Sequence, residues 1–139
     1  MIQSFIVTEL IPASPEDIYH AWLDSEGHSR MTGSPARTSA KVGEKFEAWD
    51  GYIQGRNLEL EPGKRILQAW RTTDFEPSDE DSLVEVVLEP AAGGTKVTIR
   101  HSNLPADGEQ YLQGWIDFYF QPMKEYFGRG GVTSPLPDG

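Results

Sequence analysis

Histidines, carboxylates and hydroxyls are the side chains left to do chemistry here, because the sequence contains no cysteine. Thiolate nucleophiles, thiolate metal sites, disulfides and iron–sulfur clusters are thereby excluded. His20, His28 and His101 fall in no ligand spacing and form no HExxH pair, so they read as surface or loop residues. His101, between Arg100 and Ser102 in a strand pattern, is the one to test as an acid or base. No GxSxG element and no paired-carboxylate arrangement can be assigned. Glu76, Asp79, Glu80 and Asp81 lie close together, but they lack EF-hand spacing and a turn glycine. They read as a solvated charged loop that could also face a basic protein partner. Gly93 and Gly94 are followed by neither a Lys-Ser/Thr pair nor a helix, so they make a strand turn and not a phosphate loop. No catalytic residue, metal or cofactor is assigned from these features.

The aromatic residues suggest a different chemistry. Candidates to line an apolar cavity are Trp22 and Met31 from an early helical region and Phe46, Trp49 and Trp70 from strand patterns. Trp115, Tyr119 and Met123 join them from the last helix. Singly, such residues usually pack a core. As a set they have the composition of a small-molecule pocket, with indole N–H and phenol O–H groups as polar handles. Gln68 shares a strand face with Ile66 and Trp70, where a buried amide needs a partner that a ligand could supply.

The elements that must position these residues follow from periodicity and breakers. IQSFIVTELI (2–11) reads as a strand with Phe5, Val7 and Ile11 on one face and Ile6 and Leu10 on the other. ASPEDIYHAWL opens a helix, with Ser14 as N-cap, Pro15 in the first turn and Glu16 and Asp17 against the dipole. Residues 24–35 are turn-rich with one more short helical turn. Strands follow at 44–49, 52–61, 65–73, 82–89 and 95–104. Asp50-Gly51 is the favoured two-residue hairpin pair, EPGK (61–64) a tight turn, and PAAGG the turn between the last two strands. The order is α+β: a strand, one or two short helices, an antiparallel run of five or six strands and a long C-terminal helix. No βαβ alternation points to a dinucleotide fold.

On a helical wheel, residues 111–127 place their apolar side chains, Phe118 among them, in an arc of roughly 200°, about twice what a flat sheet requires. The helix must therefore be gripped by a curved sheet or covered from a second side. Pro122 crowds the carbonyl of Phe118 and predicts a bend or restart there. Gly128 is the expected cap, with Lys124 and Arg129 near the negative end.

The chain has 139 residues, enough for one domain and no second. We place that domain at 1–131 and read 132–139, VTSPLPDG, as a disordered tail. With 12 basic and 22 acidic side chains the net charge is -10, which repels nucleic acid and anionic membranes alike. No apolar run reaches a membrane-spanning length and no signal peptide opens the chain, so a cytoplasmic protein is expected.

The stretch GWIDFYFQPMKEYFGRG, with Trp115, Tyr119, Phe120, Lys124, Phe127 and Gly128, resembles the closing helix of the C-terminal domain of the activators of heat shock protein 90 ATPase. That family belongs to the START-like (SRPBCC, Bet v 1-like) superfamily. SPEDIYHAWLD, VGEKFEAWDGYIQGRNLELEPGKRILQAWR and VEVVLEPAAGGTKVTIRHSNLP agree in order and spacing, and the likeness covers residues 3–130. It implies a helix-grip fold, an antiparallel sheet wrapped around a long C-terminal helix with two short helices closing one end. It also implies a space between sheet and helix that, in many relatives, holds a hydrophobic or aromatic small molecule. The eukaryotic co-chaperone has a further N-terminal domain that makes major contacts with its chaperone, and this sequence begins at the START-like part. Three functional expectations follow: a non-catalytic binder of a hydrophobic small molecule, a co-chaperone-like module for a heat shock protein 90 type chaperone, or an enzyme acting on a cyclic, polyketide-like substrate.

Overall fold

The computed structural model describes residues 3–105 and 108–128. The expected tail at 132–139, Arg129, and the break at Ala106 and Asp107 lie outside the described residues. Six strands form one antiparallel sheet: β1 (Phe5–Ile11), β2 (Lys45–Ala48), β3 (Ile53–Glu61), β4 (Arg65–Thr72), β5 (Ser82–Ala91) and β6 (Gly94–Ser102), in the order β1-β6-β5-β4-β3-β2. Inward and outward residues alternate along β4, β6 and most of β5, so each turns one face to the core, while β3 breaks the alternation at a bulge between Asn57 and Glu59. The rows Ile66, Gln68, Trp70 on β4 and Thr95, Val97, Ile99, His101 on β6 are all buried.

Two short helices follow β1. In α1 (Pro15–Leu23), Ser14 caps the helix by accepting from the Asp17 N–H, as its type and position predict. Asp24 caps α2 (Ser25–Thr32) through Gly27 N–H, and Gly33 ends it with a left-handed φ of 84°. Ile18, Trp22 and Leu23 face inward from α1 and His28 and Met31 from α2.

The C-terminal helix contains a widened turn. α3 (Glu109–Trp115) runs into a π turn, Ile116–Phe120, and continues as α4 (Gln121–Gly128). The backbone N–H of Gln121 reaches back five residues to the Ile116 carbonyl. The bend or restart expected at Pro122 therefore takes the form of a π turn just before it. Pro122 has no N–H to give, and a wider turn relieves the crowding of its ring against the preceding carbonyls. The widened turn also explains the broad apolar arc, because it lets the adjacent Tyr119 and Phe120 both be buried.

Two connections differ from expectation. Asp50 and Gly51 do form the centre of a tight turn, with φ of 58° and 90° and Tyr52 N–H bonded to the Trp49 carbonyl. Strand pairing, however, stops at Ala48 and Ile53. Trp49 is thus left in the loop at a φ of 52°, a backbone region that a bulky residue rarely occupies. Between β5 and β6 the strands continue to Ala91 and Gly94, and only residues 92–93 turn. Pro90 is tolerated because β4 pairs with β5 only as far as Val87, so no neighbour asks for its missing N–H.

Candidate ligand cavity

Between the sheet and the first half of the C-terminal helix lies a cavity of about 340 Å³. Its sheet side is Trp70 on β4 with Ile53 and the loop residues Trp49 and Tyr52. Its helix side is Tyr111, Gly114 and Trp115 from α3 with Phe118 and Tyr119 from the π turn. A Cβ added at Gly114 would meet only the Phe118 ring, 3.9 Å away, so the glycine leaves the space beside that ring open.

Four of the nine residues singled out in the sequence meet here: Trp49, Trp70, Trp115 and Tyr119. Trp22, Met31 and Met123 are buried but belong to the packed core behind the wall. Phe46 lies over Gly55, where any Cβ would collide with the Phe46 ring and the Ala69 carbonyl. Gln68 needs no ligand: its amide donates to Asn57 Oδ1 at 2.9 Å, and Asn57 in turn donates to the Ser39 and Lys41 carbonyls. Tyr52, Ile53, Tyr111, Gly114 and Phe118 were missed. For the helix residues the signal was present, since Tyr111, Trp115, Phe118 and Tyr119 stand at i, i+4, i+7 and i+8.

The histidines correct the sequence reading most sharply. His20 is exposed as expected, but His28 and His101 are 2% and 0% exposed. Trp115 Nε1–H donates to His101 Nδ1 at 3.0 Å, so that nitrogen carries no proton. His101 must then donate from Nε2 to Ser82 Oγ at 2.9 Å, and Ser82 donates to the Trp70 carbonyl. At His28 the order is reversed. Nδ1–H donates to the Trp22 carbonyl at 2.9 Å, leaving Nε2 to accept from the Tyr119 hydroxyl at 2.8 Å. Burial pushes His101 down to about 3. It pushes His28 down to about 4, against a small opposing effect of the Trp22 carbonyl. Both rings are neutral at pH 7 with both nitrogens occupied, and His101 has no nitrogen left for acid–base work.

These bonds set the character of the cavity. The polar atoms of Trp115 and Tyr119, expected as handles for a ligand, are turned into the core and consumed by histidines. The wall they show is largely ring carbon. At the opposite end, Tyr111 pairs with Thr72 Oγ1 at 2.9 Å and Tyr52 donates to Asp74 Oδ2 at 2.7 Å. Burial, and after it the bond to Asp74, raises the Tyr52 phenol above its ordinary range; burial raises Tyr119 likewise. At the mouth, Trp49 meets Phe118 edge-on at 5.3 Å, Phe118 is 54% exposed, and the buried Trp49 indole nitrogen has no hydrogen-bond partner among the described residues. Phe118 is thus the one exposed member of the apolar arc.

The acidic loop is organised by a cation from its own chain. Arg71 reaches the Glu76 and Asp79 carbonyls and the Asp81 carboxylate. No cluster among the described residues is arranged to hold a metal ion.

Residues 12–128 match the family model described as activator of Hsp90 ATPase homolog 1-like protein. The chain belongs to this family. The human activator of 90 kDa heat shock protein ATPase homolog 1 is 30% identical over 123 residues, which are 88% of this chain and 36% of the human protein. The chain therefore spans little more than a third of the length of that relative. A crystal structure of an HSP90 activator from Plasmodium falciparum superimposes with a TM-score of 0.82 at 28% identity, covering 91% of this chain and 97% of the other. The Aha1 dimer from Colwellia psychrerythraea shares the fold, with a TM-score of 0.73 at 21% identity over 88% of this chain and 94% of its own. The helix-grip fold of the activator family is thus the fold observed, and among the described residues no helix is long and apolar enough to cross a membrane.

Proposed function

We propose that this member of the activator family takes a hydrophobic or aromatic small molecule into the cavity between its sheet and C-terminal helix, and does so without chemistry on it. The observation that carries this reading is a cavity of about 340 Å³ whose wall is almost wholly aromatic, within the usual size of a ligand pocket. Thermal melting across a lipid and aromatic library tests it. A ligand present at a hundredfold its Kd stabilises by about 2.7 kcal/mol, which is several degrees in Tm. No shift with any compound overturns the reading.

A second reading rests on family membership and on the activator from Plasmodium falciparum, which this chain matches over nearly its whole length. In it the domain is an interaction module for a heat shock protein 90 type chaperone. Titrating the protein into such a chaperone and following ATP turnover tests this. A change in turnover or saturable binding at micromolar concentration supports it, and the absence of both removes it.

A further inference from the structure

We propose that the cavity selects organic cations, namely quaternary or tertiary ammonium groups attached to an apolar body. This inference rests on the small-molecule reading above and narrows it to one ligand class.

Seven of the nine lining residues are aromatic, and none is Lys, Arg or His. Their rings do not form one stack. Trp70 meets Trp115 at 36° and Tyr111 at 85°, Trp115 meets Tyr119 at 49°, and Trp49 meets Phe118 at 69°. Rings at such varied angles line the space from several sides. That is the arrangement by which aromatic side chains attract a desolvated cation. A quaternary ammonium suits it because its methyl groups keep water away, so little hydration is lost on entry.

Charge around the box favours the same sign. The Asp74 carboxylate holds the Tyr52 hydroxyl at 2.7 Å. Tyr111 separates the cavity from a second depression of about 290 Å³ whose lining includes Asp74, Glu76 and Asp79. With a net charge of -10, the protein as a whole draws cations inward. An anionic ligand would meet no positive side chain in the wall. The indole and phenol of Trp115 and Tyr119, which could have donated to an anion, are spent on His101 and His28; the Trp49 indole at the mouth has no partner among the described residues and supplies one neutral donor without a positive charge.

The test compares benzyltrimethylammonium with neopentylbenzene, which has the same shape with carbon in place of the charged nitrogen. Binding to the intact chain is followed by quenching of its tryptophan fluorescence. Area burial alone makes the hydrocarbon the tighter ligand, whereas the box makes the cation tighter by about tenfold or more. Equal affinity, or a preference for neopentylbenzene, overturns this inference and leaves the small-molecule reading standing. No binding of benzyltrimethylammonium at millimolar concentration also overturns this inference, while the melting library decides the small-molecule reading by itself. Asp74→Asn is expected to weaken the cation a few-fold and leave neopentylbenzene unchanged. Equal weakening of both would show that Asp74 acts on the shape of the cavity and not on its charge.

Discussion

The inner and outer halves of the aromatic cluster are built from the same residue types, but their polar atoms are treated differently. Around His101 and His28, the Trp115 indole and the Tyr119 phenol each have a partner, and all four of these side chains are buried. At the mouth, Trp49 sits at a φ of 52° with its indole N–H unpaired among the described residues, beside a Phe118 that is 54% exposed. A bulky side chain at positive φ costs on the order of 1–3 kcal/mol, and an unpaired buried N–H costs about as much again. The inner half is therefore a rigid wall. The outer half is held in place by the rest of the fold and stands ready to rearrange. Aromatic content alone distinguishes neither; the hydrogen-bond inventory does.

Four experiments would break or sharpen this contrast. Replacing His101 by Phe orphans the Trp115 indole and overfills the site. We expect a loss of about 3 kcal/mol in urea unfolding, and a loss under 1 kcal/mol would show that the inner half is not rigid. Acidification comes next. Both buried histidines have folded pKa values lowered to about 4 and about 3, below the unfolded value, so the unfolded chain binds more protons as pH falls through 6.5. Their neutral burial is fully stabilising above that pH and is lost as pH falls toward 4. Each histidine should remove about 2 kcal/mol between pH 7.5 and pH 5, and the His101→Phe variant should show a correspondingly shallower dependence. Tyr119→Phe leaves only His28 Nε2 without its donor, for an expected loss of about 1–2 kcal/mol with the cavity otherwise intact. The smallest effect should come from Trp49→Asn. Asparagine tolerates the left-handed region, so stability should change by less than about 1 kcal/mol while affinity for an aromatic ligand falls. A larger loss of stability would place Trp49 with the wall instead.

What could be read from sequence divides along physical lines. The first strand, the Ser14 cap, the two short helices, the hairpin glycines and the grip on the last helix all rest on local chemistry or periodicity, and all appear in the fold. His28 and His101 were misjudged even though Met31 stands three residues beyond His28 and Val97 and Ile99 alternate with His101. Their polar type points to the surface while the periodicity points inward, and in the fold the periodicity wins. The cavity wall was legible only in part, because periodicity tells which residues turn inward but not whether atoms or empty space stand opposite. Trp22, Met31 and Met123 are inward and packed, whereas Trp70 and Trp115 are inward and face a void.

The π turn at Ile116–Phe120 carries one more consequence, for how this chain can vary. It uncouples the rotational phase of α3 from that of α4, so the residues facing the cavity and those that lock α4 against α2 and β1 need not obey a common helical repeat. Closing the widened turn to ordinary α geometry with every residue kept would rotate the two halves against each other by about 100°, sacrificing one set of contacts to keep the other.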